Sequence, residues 1–274
     1  MIHIITIHWK TESWIDIQLK YFKHFINEPY KVYTFLNHIP NNHQHKNKFF
    51  YSSTENIRSH PIKLNLLADM ACFEAKSDDD VLMFIDGDAF PVGNISEFKS
   101  ATLTQFPLAA IQRLDNNGDI QPHPCFCLTT VGYWKNIGGD WKPGQITWTN
   151  DLNEEVADVG GKLLSLLKKR KEKWYKLLRS NAHNLHPVLF GIYDDLIYHH
   201  GAGFRKPGIR ADQKNIKFYK LKLLMFNFSK RILPFQTARK LFFPLNQTIE
   251  INKNLSQSVY KQIEQDFHFF EKFK

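Results

Sequence analysis

The stretch Val81-Leu82-Met83-Phe84-Ile85-Asp86-Gly87-Asp88-Ala89-Phe90-Pro91 decides how the rest of the chain is read. Five apolar residues with no polar member are what a strand buried on both faces requires, and such strands belong to parallel sheets covered by helices. The run stops abruptly in two aspartates separated by one glycine. Upstream, residues 3–9 are rich in isoleucine and predict a strand. Ile15, Leu19, Phe22 and Ile26 then recur at helical spacing, with Ser13 as the expected cap and Pro29 as the stop. Residues 31–36 predict a second strand, and residues 37–59 a long surface loop whose His38, His43 and His45 are expected to be solvated. Pro61 suits the first turn of a helix that carries Leu64, Leu67, Ala68, Ala71 and Ala75 on one stripe. This strand-helix-strand-helix-strand order builds a largely parallel sheet. In such sheets ligands bind beyond the carboxyl ends of the strands, where Asp86 and Asp88 stand.

Two carboxylates one residue apart can reach the same divalent cation, and Gly87 lets the backbone turn with no side chain in the way. Mn2+ or Mg2+ held there can carry a diphosphate and neutralise the charge that develops when a sugar departs from it. The plainer alternative is a turn with two solvated aspartates.

Asp86-Gly87-Asp88, following a buried strand and two strand-helix units, resembles the DxD motif of nucleotide-sugar-dependent glycosyltransferases with the GT-A fold. Val131-Gly132-Tyr133-Trp134-Lys135-Asn136-Ile137-Gly138-Gly139-Asp140-Trp141 is similar to the acceptor-side helix and Gly-Gly turn of bacterial polysaccharide glycosyltransferases. Ala157-Asp158-Val159-Gly160-Gly161 stands where those enzymes carry a Glu-Asp pair opening a helix, with Ala157 in place of the Glu. The resemblance covers about residues 4–205. It implies an α/β GT-A domain over residues 1–204, a Rossmann-like mixed, mostly parallel central sheet flanked by helices. A C-terminal helical extension, basic and aromatic, follows over residues 205–274.

The resemblance further implies a nucleoside-diphosphate sugar as donor, UDP-sugar favoured, and a glycan or lipid-linked acceptor in surface polysaccharide synthesis. If the transfer inverts configuration, a carboxylate must take the acceptor's proton, and Asp158 is the first candidate with Asp140 second. Asp158 equally fits an N-cap ahead of the run Leu163, Leu164, Leu167, Trp174, Leu177 and Leu178, read as one helix. In Ile197-Tyr198-His199-His200-Gly201-Ala202-Gly203-Phe204-Arg205-Lys206, similarity to the family makes His199 or His200 a further metal ligand and Arg205 or Lys206 a diphosphate contact. By position Thr6, His8, Asn37, His60, Lys63 and Asn65 are the candidates for base and ribose contacts.

With 274 residues, 43% of them hydrophobic and 23% charged, the chain has ample core for one large domain and is excluded from the disordered class. Its net charge of +9 is concentrated: residues 205–240 carry eleven Lys and Arg against the single acid Asp212, interleaved with large apolar residues. That mixture suits an anionic membrane surface, or a flank covered by aromatics from which lysines snorkel. Nucleic acid is not expected, because no motif for it occurs. Cys72, Cys125 and Cys127 give neither a disulfide framework nor a zinc spacing. No stretch reaches membrane-spanning length and the amino terminus lacks a signal pattern, so a cytoplasmic enzyme, peripheral on the inner face of the plasma membrane, is expected. The rivals are a phosphohydrolase with Asp86 as nucleophile, and a non-catalytic sugar or nucleic-acid binding module.

Overall fold

The structure, a computed structural model, describes residues 1–116, 118–145, 147–149, 153, 155–186, 188–201, 219–242 and 249–274. In chain order the elements are β1 (Ile2–Trp9), α1 (Ile15–Phe25), β2 (Tyr30–Asn37), β3 (Tyr51–Ser53), α2 (His60–Glu74), β4 (Val81–Ile85), β5 (Ala89–Pro91), α3 (Ile95–Thr102), β6 (Leu108–Ile111) and β7 (His123–Thr130). There follow α4 (Val131–Ile137), β8 (Trp148–Thr149), β9 (Glu155–Val156), α5 (Gly161–Arg170), β10 (Tyr175–Leu177), β11 (Gly191–Tyr193), β12 (Ile197–His199), α6 (Tyr219–Ser229), α7 (Phe235–Phe242) and α8 (Ile249–Gln265).

The central sheet has seven strands in the order β10-β6-β7-β4-β1-β2-β3. It is mixed and mostly parallel: β1 runs parallel to both β2 and β4, and β7 alone is antiparallel to its neighbours β4 and β6. The period of two distributes the core. From β1 and β4, Ile2, Ile4, Val81, Met83 and Ile85 face α1 with its Ile15 and Phe22. Ile5, Ile7, Leu82 and Phe84 face the other way, against Leu64, Leu67 and Ala68 of α2, Trp134 of α4 and Leu163 of α5. Helices thus cover both faces, as an all-apolar β4 demands.

Three local expectations change. Ser13 does not cap α1: the cap position is Trp14, without a side-chain cap hydrogen bond, while the Ser13 hydroxyl accepts from Thr11. The run expected as one helix from Leu163 to Leu178 breaks at Lys171, whose φ of 56° ends α5. Beyond it Trp174 and Leu177 flank opposite faces of the sheet edge, so the apolar period has changed from helical to extended. The 37–59 loop also gains β3, paired parallel to β2.

A second sheet, β11-β12-β5, is antiparallel. It is backed by the chain's end: Val259 and Ile263 of α8, with Phe269, Phe270 and Phe273, pack on Trp14, Tyr21, Phe90 and Tyr198. Residues 249–274, part of the expected extension, are therefore fastened to the domain. α6 and α7 pack on each other through Phe226 and Ala238. Among the described residues no helix is long and apolar enough to cross a membrane.

Candidate metal centre

β4 delivers the aspartates by ending between β1 and β7. The Asp86 N–H donates to the Cys125 carbonyl on β7, and the Ala89 N–H returns to the Asp86 carbonyl, closing a tight turn. Gly87 is needed there because a Cβ would sit 2.5 Å from the Ile7 carbonyl oxygen and 2.9 Å from His8 Nδ1. The turn leads into β5, which pairs with β12 so that His199 lies opposite Ala89. That pairing carries an imidazole back to the carboxylates from the far side of the sequence.

His199 Nε2 lies 3.7 Å from Asp86 Oδ2 and 3.5 Å from Asp88 Oδ1. The ligand atoms of Asp86, Asp88 and His199 all lie within 4.8 Å of one another. Two hard carboxylates and one borderline imidazole fit Mn2+ or Mg2+, which at bond lengths of roughly 2.0–2.2 Å need only a small inward movement of these groups. Burial works against a charge on Asp88, but His199 outweighs it and holds the carboxyl well below its usual range. The site stays open to solvent, with Asp86 20% and Asp88 17% exposed against 7% for His199.

The adjacent histidines separate. His200 turns into the core, where its two ring nitrogens meet the hydroxyls of Tyr198 and Ser256 at 2.9 and 2.8 Å. Burial pushes its pKa down to about 3 against the pull of Asp88, so it is neutral and has no nitrogen left for a metal. Its backbone still serves the site, since the His200 N–H donates to the Asp88 carbonyl at 3.0 Å.

The expected donor contacts scatter. His60, at the start of α2, comes within 3.6 Å of Asp86 Oδ1 and is 39% exposed at the rim. His8 lies beside Gly87, buried, its pKa lowered to about 4 by that burial, with Nε2 lacking a hydrogen-bond partner among the described residues. Thr6 is fully buried and donates to Gln18. Asn37 and Lys63 are also buried and engage each other at 2.6 Å, and burial lowers Lys63 to about 8. Asn65 points away to Asp140. Arg205 and Lys206 fall outside the described residues.

The two carboxylates proposed for proton transfer also differ. Asp140 accepts from Asn65, from the Lys142 N–H and from Lys162 at 2.7 Å. Burial opposes its charge, but these donors outweigh it and its pKa is lowered, so it is a tethered anion and a poor base. Asp158 is exposed and accepts from the Val159 N–H, while the cap position of α5 is Gly160, not Asp158.

Two features escape the sequence reading. Gln18, fully buried on α1, donates to the carbonyls of Asp86 and Ala89 at 2.8 and 2.7 Å and so holds both ends of the metal turn. The available signal is a polar residue inside the apolar stripe of α1. The 112–123 segment carries the other: half-buried Arg113 with buried Asp115 and Asp119, Asp119 raised to about 6 mainly by burial, against Asn116 and Arg113, and with Asp158 adding to the rise. Its Asn-Asn-Gly centre reads as an ordinary turn.

No family model matches the sequence, and no curated protein does. Among solved structures the chain is similar to S. aureus TarS, at 11% identity and a TM-score of 0.38, over 58% of this chain and 35% of that one. It is similar to the galactosyltransferase LgtC in complex with donor and acceptor sugar analogs, at 11% identity and a TM-score of 0.33, over 49% and 59% respectively. A third is the mannosyltransferase PcManGT from Pyrobaculum calidifontis, in complex with GDP-Man and Mn2+, at 10% identity and a TM-score of 0.45, over 95% and 74%. This chain spans less than two thirds of the length of the first two.

Proposed function

We propose that this protein is a metal-dependent glycosyltransferase that moves a sugar from a nucleoside diphosphate, UDP-sugar favoured, to a glycan or lipid-linked acceptor in surface polysaccharide synthesis. The observation that carries the reading is the convergence of Asp86, Asp88 and His199 at the carboxyl end of β4, in an open setting. Asp86, Asp88 and His199 would hold Mn2+ or Mg2+, which supplies charge neutralisation for a leaving diphosphate when bound. The remaining chemistry belongs to the chain. Gln18 and the His200 N–H fix the turn, Gly87 keeps its inner side clear of side chains, and His60 at the rim can donate to a phosphate oxygen. Arg205 and Lys206 are assigned to the same diphosphate. Asp158, free of any cation partner among the described residues, is assigned the acceptor's proton in an inverting transfer, in preference to the tethered Asp140. The protein is assigned to the cytoplasm, peripheral on the inner face of the plasma membrane.

The test is a thermal one. UDP and GDP with Mn2+ should raise Tm by several degrees, an effect of about 2.7 kcal/mol at a hundredfold excess over Kd, and by more than either partner alone. Asp86→Asn and Asp88→Asn should each abolish the joint effect. Equal stabilisation of parent and variants, or release of phosphate from a generic aryl phosphate by the parent, overturns the reading. A panel of nucleotide sugars scored for metal-dependent turnover then identifies the donor.

A further inference from the structure

Two cavities meet at α6, away from the metal. One, of about 680 Å3, lies between α6 and the segment after β10 and is lined by Arg179, His183, Lys230, Arg231, Asp115 and Asn227, among others. The other, of about 610 Å3, is walled by Leu224, Met225, Phe228 and Phe242. Asn227 and Arg231 line both, so the two are one continuous site with a cationic end and an apolar end. Both volumes fall within the roughly 300–1,000 Å3 of small-molecule sites.

The charges at the polar end do not cancel. Arg179 spends its donors on Asp115, Asn184 and the carbonyls of His186 and Leu189, which satisfies the cavity's carboxylate. Among the described residues Lys230 and Arg231 have no carboxylate within ion-pair distance, and the one acceptor Lys230 meets there is the Ala182 carbonyl. Burial, then Arg179 and Arg231, lower the Lys230 pKa to about 8, a crowding that an anion would relieve. Asn227 Oδ1, buried between the two cavities, has no hydrogen-bond partner among the described residues. At the apolar end Leu224 is 69% and Phe228 64% exposed, an outlay of hydrocarbon surface on a helix whose inner face is already packed on α7.

We propose that this paired cavity binds one molecule of a phosphate-headed, single-chain amphiphile, its phosphate between Lys230 and Arg231 and its hydrocarbon along Leu224, Met225, Phe228 and Phe242. The inference deepens the lipid-linked branch of the glycosyltransferase reading and rests on it for its meaning, but the binding itself rests on residues outside the metal centre.

Isothermal titration of the full chain with dodecyl phosphate, kept below its critical micelle concentration, tests it. Inorganic phosphate serves as the head-only probe and dodecyl maltoside as an uncharged chain. One dodecyl phosphate per chain is expected, at least tenfold tighter than either control. Lys230→Gln combined with Arg231→Gln should weaken it tenfold or more. Leu224→Asp, at an exposed position that endangers folding little, should weaken dodecyl phosphate while leaving inorganic phosphate unchanged. Asp86→Asn should leave dodecyl phosphate binding as in the parent, so amphiphile binding in a parent that nucleotide with Mn2+ does not stabilise, or nucleotide-metal stabilisation that persists in Asp86→Asn, counts against the glycosyltransferase reading alone. Binding only to phosphatidylglycerol vesicles, stoichiometry far above one, or indifference to all these substitutions overturns the site.

Discussion

Asn65, the Lys142 N–H and Lys162 all donate to Asp140, whereas Asp158 is met by the Val159 N–H alone among the described residues. Asp140→Asn removes the charge that these donors were placed to meet, and a loss of about 1–3 kcal/mol of stability at neutral pH is expected. Its folded pKa is depressed, so the stabilisation is complete above the ordinary carboxylate value of about 3.9 and disappears as pH falls through the lower folded value. The gap between parent and variant in urea unfolding should therefore narrow toward acid. Asp158→Asn should leave that unfolding curve in place and lower kcat by about 10²–10⁴. The opposite pattern, an unstable Asp158→Asn and an inactive but stable Asp140→Asn, would exchange the two roles. These differences could not be seen in the sequence, where both aspartates stand near a Gly-Gly pair. They arise from which helix comes to lie across each.

The metal turn between β4 and β5 is held from α1, through Gln18, and from β12, through the His200 N–H. Gln18→Leu keeps the buried volume nearly constant but leaves the carbonyls of Asp86 and Ala89 without their donor. A loss of about 1–3 kcal/mol and a roughly tenfold weaker Mn2+ affinity by calorimetric titration are expected. Undiminished Mn2+ affinity would show that the turn holds itself. β1, β2, β4 and α2 were legible because each buries a simple period: an unbroken apolar run for β4, an isoleucine run for β1, a 3–4 stripe for α2. What stayed hidden depends on pairing between distant segments. Neither His199 nor His200 has a local pattern that distinguishes it; antiparallel β12–β5 pairing turns one outward and the other inward. The break at Lys171 was hidden because Leu163, Leu167, Trp174 and Leu178 keep near-helical intervals across a change of element.

At the scale of the whole molecule, the chain's last residues join the second sheet to α1. Phe269 is fully buried, its ring 4.9 Å from Tyr198, and Tyr198 in turn meets His200. Phe269→Ala is expected to cost about 3–5 kcal/mol and to weaken Mn2+ binding as well, because β12 loses its backing. A lowered Tm with unchanged Mn2+ affinity would mean that the second sheet keeps its place without α8. The basic charge of residues 205–240 was plain in the sequence, whereas the return of residues 249–274 to the domain was not, since the partners of Phe269 and Phe273 lie near residues 14–21 and 90. The β5–β12 pairing has a temporal consequence. A nascent chain halted before residue 197 carries both acidic donors but not His199, so completion of the three-ligand group must wait for the closure of a loop more than a hundred residues long. Since that closure comes late, manganese should slow unfolding and leave the refolding rate nearly unaltered in stopped-flow traces, marking completed molecules rather than hastening their formation.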